Sequence, residues 1–241
     1  MTAWGSALPT LYEIEPVHWW TRGMLAATQA LLAADGWHGH GDLLDVGCGG
    51  GMSAAAIVAR HRIGIDISWL ALTYARQHPE VHLVQGSLAT LPLAGPRFGL
   101  ILALDVLDQG GLDSDTALTA CADLLQPQGR MLIRVSAYRW LHSAYDAATG
   151  TGTRMAASEL RRRVDQAGLI VRRLTYGNCC LFPLAVLRRL QARWLGTPVE
   201  GDLQPPPAWL GAWLFAILRA EAAWLCRHDL PWGLSLYCLA V

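Results

Sequence analysis

From Asp42 onward, short runs of apolar residues alternate with stretches whose apolar positions fall three and four apart. The short runs at Leu43–Val46, Arg62–Asp66, Val81–Gln85, Phe98–Leu104, Arg130–Val135 and Leu169–Tyr176 read as strands. Between them the longer period predicts helices over Met52–Arg60, Trp69–Gln77, Ser114–Leu125 and Ala157–Ala167. Ser68 and the pair Ser158–Glu159 stand where N-terminal caps belong. Strands alternating with helices imply a parallel sheet covered on both faces, an α/β architecture. A last apolar run, Gly233–Val241, reads as a closing strand.

The segment between the sixth and seventh strands, Gly177–Trp232, is far longer than an ordinary connection and holds two helical stretches divided by the proline patch Gln204–Pro207. If the sixth strand is parallel to the others, this insertion starts at the carboxyl edge of the sheet. Ligands bind at that edge in open α/β sheets, so the insertion is a candidate roof over a site. The expected organisation is a single domain: an N-terminal helical cap over 1–40, a core over 41–176, the helical insertion over 177–231 and the last strand over 232–241.

A length of 241 residues suits one such domain. Basic and acidic side chains balance at 19 each, so no broad field favours nucleic acid as a partner. The six cysteines show neither CxxC spacing nor matched histidines, which predicts reduced thiols, a cytoplasmic setting and no metal site. The first residues lack the pattern of a signal peptide. Eleven tryptophans are many for this length, and Trp194, Trp209, Trp213, Trp224 and Trp232 fall in the last fifth of the chain. Trp209, Trp213 and Trp224 recur at helical spacing. Core packing, a hydrophobic acceptor pocket and a membrane-surface face are the three readings open to them.

The chemistry concentrates in LLDVGCGGGMSAA, residues 43–55, where a strand turns into a helix through several glycines. Such a turn brings backbone amides and a helix N-terminus against a ligand. A dinucleotide fingerprint needs GxGxxG, but Met52 stands where the third glycine should be, which disfavours a nicotinamide-dependent oxidoreductase. Asp66 ends the second strand, where a carboxylate suits a ribose diol.

Together with GIDIS (64–68), GSLATLPL (86–93), FGLILALDVLDQ (98–109) and LLQPQGRMLIRV (124–135), this stretch resembles the class I S-adenosylmethionine-dependent methyltransferases. The resemblance implies a Rossmann-like fold, a seven-stranded, mostly parallel sheet with an antiparallel last strand, and S-adenosylmethionine as cofactor. It places Asp45, Gly47 and Gly49 at the methionine end, Asp66 on the ribose and Ile67 on the adenine. Ser87 and Leu88 would meet the adenine amino group, with Leu104 and Asp105 beside the sulfonium. Ser87, Gly99 and Gln128 depart from the residues usual at their motif positions.

EPVHWWTRG (15–23), SAYRWLHSAYDAATGTGTRM (136–155) and LPWGLSL (230–236) resemble a bacterial subgroup of type 11/12-like methyltransferases with an N-terminal WW motif. Of that subgroup's central pattern Asp146 and Arg154 are kept, while Tyr145 and Thr151 replace histidines. The resulting expectation is methyl transfer to oxygen or carbon of a small hydrophobic or lipid-like acceptor. His18, Trp19, Trp20 and Tyr138 would contact that acceptor, and His142, Tyr145 or Asp146 would act as general base. A cofactor-binding protein that does not methylate, such as a scaffold subunit or a cofactor-assisted cyclase, stays open beside it.

Overall fold

The computed structural model describes residues 12–93, 95–143, 146, 150–195 and 206–241, with the side chains of 192–195 excepted. Seven strands form one sheet in the order β3-β2-β1-β4-β5-β7-β6. They are β1 (Leu43–Val46), β2 (Arg62–Asp66), β3 (Val81–Gln85), β4 (Phe98–Leu104), β5 (Leu125–Ser136), β6 (Val171–Gly177) and β7 (Ser235–Ala240). The pairs from β3 through β5 are parallel, whereas β7 runs antiparallel to both β5 and β6. All parallel strands therefore release the chain at one edge.

The strands are apolar at nearly every position because both faces of the sheet are covered. Leu44, Ile101, Ala103, Met131 and Ile133 point to one face, where Leu118, Cys121, Leu160 and Val164 meet them. Those four belong to α4 (Ser114–Ala122) and α5 (Ala157–Gln166). Leu43, Leu100, Leu102 and Leu132 point to the opposite face, against Ala27, Leu31, Ala54 and Leu225. These come from α1 (Trp19–Ala34), α2 (Met52–Ala56) and α7 (Ala208–Leu225). The remaining helices are α3 (Trp69–Ala75), which Ser68 caps by accepting from the Ala71 amide, and α6 (Phe182–Leu195). α6 and α7 both lie between β6 and β7.

Two sequence expectations need correction. The first helix stops at Ala56 rather than Arg60, because the following loop is held under the sheet: Val58 accepts from Trp37 Nε1 at 2.9 Å, and Arg60 and His61 both reach Asp42 at 2.9 Å. The fifth strand begins at Leu125, not Arg130, and passes through Gln128 at φ 66°. Gln128 thus takes the left-handed conformation that glycine adopts more cheaply. It lines a cavity of about 630 Å³ with Trp37, Gly41 and Gly99, at the edge away from the ends of the parallel strands. Two of the three motif departures therefore sit far from the ligand edge.

Candidate functional site

The ends of β1, β2, β4 and β5 converge on the glycine turn. Asp45 is 2 % exposed; the Ala54 amide donates to its carboxylate, and its Oδ2 has no partner. Burial raises its pKa to about 7, and the nearby Asp66 and Glu15 charges add to the rise. Gly47, Gly49 and Gly51 all take positive φ, at 71°, 54° and 81°. A side chain at Gly47 would also lie 2.5 Å from Val106 Cγ2. The turn is pinned to β2 by hydrogen bonds from the Gly47 and Cys48 amides to the Ile65 carbonyl, at 2.7 and 3.0 Å.

Asp66 does more than face a ligand. Its Oδ2 accepts from the Gly49 amide at 2.9 Å and its Oδ1 from the Ser68 amide at 2.8 Å. The same carboxylate thus fixes the glycine turn and the entry into α3. Ile67 beside it is 70 % exposed, an open apolar surface. Ser87 accepts from the Ala89 amide through Oγ, which shapes the turn after β3. The Leu88 side chain is buried in the core, so only its backbone faces that turn.

At the end of β4, Asp105 takes φ 56° and binds Arg134 of β5 through two bonds, 3.0 Å from Nε and 2.7 Å from Nη2. Arg134 is buried, lies 5.5 Å from the Trp20 ring centre and reaches the Tyr237 hydroxyl at 3.5 Å. Burial opposes its charge, but the Asp105 pair outweighs this and pushes its pKa upward. A lone arginine in the apolar run MLIRVS was the available signal, and sequence reasoning passed over it.

The N-terminal segment covers the turn. A side chain at Gly50 would run into Glu15 Oε2, and the Tyr12 ring lies 3.5 Å from the same point. Tyr12 packs on Tyr74 of α3 with ring centres 5.4 Å apart. Burial raises the Glu15 pKa to about 7 against the opposing attraction of Arg134. His18 pairs with Trp19 at 5.6 Å, and burial lowers its pKa, favouring the neutral imidazole. Glu15 opens the stretch EPVHWWTRG that carried the N-terminal resemblance, whereas Tyr12 carried no sequence signal.

On the acceptor side, Tyr138 follows β5 at φ 61° and stacks on Tyr176 of β6 with centres 5.4 Å apart and planes 9° apart. Phe182 closes in at 5.5 Å and Trp140 at 6.0 Å. Burial, and then the hydrogen bond with Tyr176, push the Tyr138 pKa up to about 12. The loop beyond is anchored by Asp108, whose Oδ2 accepts from the Ser136 amide at 2.8 Å and whose carbonyl accepts from Gly152 and Thr153.

The candidate bases fare differently. Asp146 is buried and bound by Arg154 at 2.6 and 3.1 Å, with the Ser143 amide at 2.7 Å. Burial raises its pKa, but the Arg154 bonds and charge bring it below the ordinary carboxylate value. The ion pair with Arg154 ties Asp146 into the loop and favours its ionised form. His142 sits exposed on the loop after the single turn Arg139–Leu141. Tyr145 lies outside the described residues. Among the described residues no group of three histidine, cysteine, aspartate or glutamate side chains could hold a metal ion.

Residues 43–129 match the family model described as a methyltransferase domain. The ubiquinone biosynthesis O-methyltransferase of Alkalilimnicola ehrlichii is 37% identical over 98 residues, covering 37% of this chain and 39% of that protein. The Cereibacter sphaeroides protein of the same name is 34% identical over 97 residues, with the same coverage. The aligned part thus spans well under half of these relatives. Among solved structures, a chain of the complex between the Haloferax volcanii Trm112 methyltransferase activator and a methyltransferase superposes with TM-score 0.60 at 16% identity, covering 95% of this chain and 92% of that one. The [4+2]-cyclase SpnF superposes with TM-score 0.57 at 20% identity, covering 88% and 78%. The chain has the class I methyltransferase fold, and the match to the methyltransferase-domain model lies over its first four strands and the start of the fifth.

Proposed function

We propose that this protein transfers the methyl group of S-adenosylmethionine to a hydroxyl group of a small hydrophobic or lipid-like acceptor. The observation that carries the reading is the Asp45 carboxyl, buried with one oxygen unpartnered among the described residues, at the foot of a turn where Gly47, Gly49 and Gly51 all take positive φ. An orphaned anion in such a cradle fits the ammonium group of the cofactor's methionine end. Asp66 then offers its carboxylate to the ribose, and Ile67 its exposed face to the adenine.

The bound cofactor supplies a methyl group already activated by a positive sulfur. Transfer to a hydroxyl would leave that hydroxyl's proton for a group of the protein to take, with S-adenosylhomocysteine as the other product. The protein's part is alignment and exclusion of water. The Asp105–Arg134 pair fixes the end of β4 beside the transfer line, while Tyr12, Glu15 and Trp20 close the cleft. The aromatic group Tyr138, Tyr176, Phe182 and Trp140 offers an acceptor wall with flat apolar faces. His18, neutral at working pH, and Glu15 are the described groups on the covering segment able to take the acceptor proton. Oxygen is preferred over carbon because relatives 34–37% identical over part of this chain are named O-methyltransferases.

The test is calorimetric titration with S-adenosylhomocysteine, followed by incubation with methyl-labelled S-adenosylmethionine and a panel of phenolic and lipid-linked hydroxyl acceptors. Binding with transfer of label to oxygen is expected. Binding without formation of S-adenosylhomocysteine across the panel would leave a cofactor-binding protein that does not methylate. No binding would refute the cofactor site itself.

A further inference from the structure

α7 is apolar on both sides, and the two sides meet different surroundings. Its inner side packs on the domain: Leu218, Ala222 and Leu225 are buried, Leu218 fills the space a side chain at Gly23 of α1 would take, and Arg22 lies 4.1 Å over the Phe215 ring. Its outer side carries Trp209, Ala212, Trp213, Ala216, Ala220, Ala223 and Trp224, all exposed. Trp209 and Trp213 are each 68% exposed and Trp224 56%. Positions along this row recur every three or four residues, with Ala212 and Ala223 flanking their tryptophan neighbours, so they form one continuous strip.

Among the described residues α7 is the one helix long and apolar enough to cross a membrane. Its place in the fold forbids crossing. Glu221, the only acidic residue of the helix, is turned inward and accepts from the amides of Asn178, Cys179 and Cys180, at 2.7 Å for Cys179 and 3.0 Å for Cys180. That bond set locks α7 to the end of β6. The helix can therefore only lie flat against an apolar medium, with its inner face still on α1.

Among the described residues the free charges beside the strip have one sign. Arg219 on its edge and Arg227 just past its end are exposed. The nearest exposed acid after the helix, Asp229, is already bound by Arg173 at 2.7 Å. Tryptophans flanked by cations match the interfacial zone of an anionic bilayer: indole rings settle at headgroup depth, and arginines meet lipid phosphates. α6, which begins beyond the same Glu221-bound loop, adds exposed Leu184, Leu187 and Leu190.

We infer that the outer face of α7 docks this protein flat onto an anionic lipid bilayer. The docking stands on the helix alone and does not require the methyl-transfer reading. If that reading holds, the consequence is spatial. The insertion springs from the end of β6 beside the Tyr138–Tyr176 wall, so a docked molecule would open its acceptor side near the membrane from which a lipid-like acceptor is drawn.

Flotation of the whole protein with vesicles tests this. One set is phosphatidylcholine alone; the other contains roughly one third phosphatidylglycerol. The protein should float with the anionic vesicles, and doxyl-labelled lipid in them should quench its tryptophan emission. The double substitution Trp209→Ser with Trp213→Ser should cut partitioning by about tenfold or more. It should leave the melting temperature and S-adenosylhomocysteine affinity as in the parent. Arg219→Glu, a surface change that spares the apolar strip, should abolish the preference for anionic over neutral vesicles. Protein that stays out of both vesicle fractions, or a double variant that floats like the parent, would overturn the inference. So would a concentration-dependent dimer that the double variant abolishes while neither protein floats, since the face would then belong to a second copy.

Discussion

Asp45→Asn measures what the cofactor cleft costs the fold. In the native state the Asp45 carboxyl is buried and its pKa is raised from 3.8 to about 7. Between those values the native chain holds a proton that the unfolded chain has released. Stability is therefore fully present below about pH 4 and falls as pH rises toward 7, at up to about 1.4 kcal/mol per pH unit. Over the whole interval the loss comes to roughly 4 kcal/mol. Asparagine keeps the shape and can still accept from the Ala54 amide, yet it does not titrate. The stability of the variant minus that of the parent should thus rise by roughly 3 kcal/mol between pH 4.5 and pH 8 and then level off.

Asp108, raised to about 6, shifts stability in the same direction but titrates in either protein and drops out of the difference, whereas Glu15, raised to about 7, interacts with Asp45 and adds a smaller coupled share to it. Urea unfolding followed by circular dichroism at several pH values gives the comparison directly. A difference that changes by less than about 1 kcal/mol over this range would mean that Asp45 is not held in a protonation-sensitive cleft, and the reasoning fails. A second readout ties the strain to function. S-adenosylhomocysteine should stabilise the parent more at pH 8 than at pH 5.5, because its ammonium relieves the ionised carboxylate, whereas the variant should show no such pH dependence.

Other substitutions separate the roles of the neighbouring groups. Asp66→Ala should weaken S-adenosylhomocysteine binding by roughly 1–3 kcal/mol in calorimetry, since it loses ribose contacts as well as the bonds that hold the Gly49 and Ser68 amides. Unchanged affinity would place the cofactor elsewhere. Gly47→Ala combines a left-handed backbone with a clash at Val106, so cofactor binding should fall by about tenfold or more, and adding Val106→Ala should restore only the steric share. Recovery to the parent affinity would disprove the backbone argument. Asp146→Ala should lower stability by about 3–5 kcal/mol by stranding Arg154 in the interior, while the pH profile of any methyl transfer stays in place. A displaced pH profile would make Asp146 a base in the transfer.

The sequence was most informative where the backbone itself dictates residue type. β1 through β4 fall at the residues expected from pattern alone, because a strand covered on both faces must be apolar at consecutive positions such as Leu100, Ile101 and Leu102. The glycine cradle was legible for a similar reason, since positive φ at Gly47 and Gly49 leaves little choice of side chain. Groups whose meaning depends on a distant partner were not legible. Arg134 looks like an anomaly in an apolar strand until Asp105 and Trp20 are seen around it. Asp146 reads as a candidate base in the sequence, and the structure closes Arg154 on it. Asp146 and Arg154, eight residues apart in the sequence, are thus each other's ion pair.

The two halves of the ligand edge are held by different means. The cofactor half uses glycines to reach left-handed conformations without strain. On the other half, the chain beyond β4, β5 and β6 turns through Asp105, Tyr138 and Asn178, with φ of 56°, 61° and 60°. Each is a non-glycine residue, and such conformations persist only where the surroundings over-determine them. Here Arg134 grips Asp105, the Tyr176 stack and the Met155 carbonyl hold Tyr138, and Glu221 takes the Asn178 amide. Each turn is locked by a side chain from another element, so replacing a residue at this edge also releases a bent strand end. A substitution at this edge must therefore be matched by a change in its partner, while the glycine turn can stay as it is.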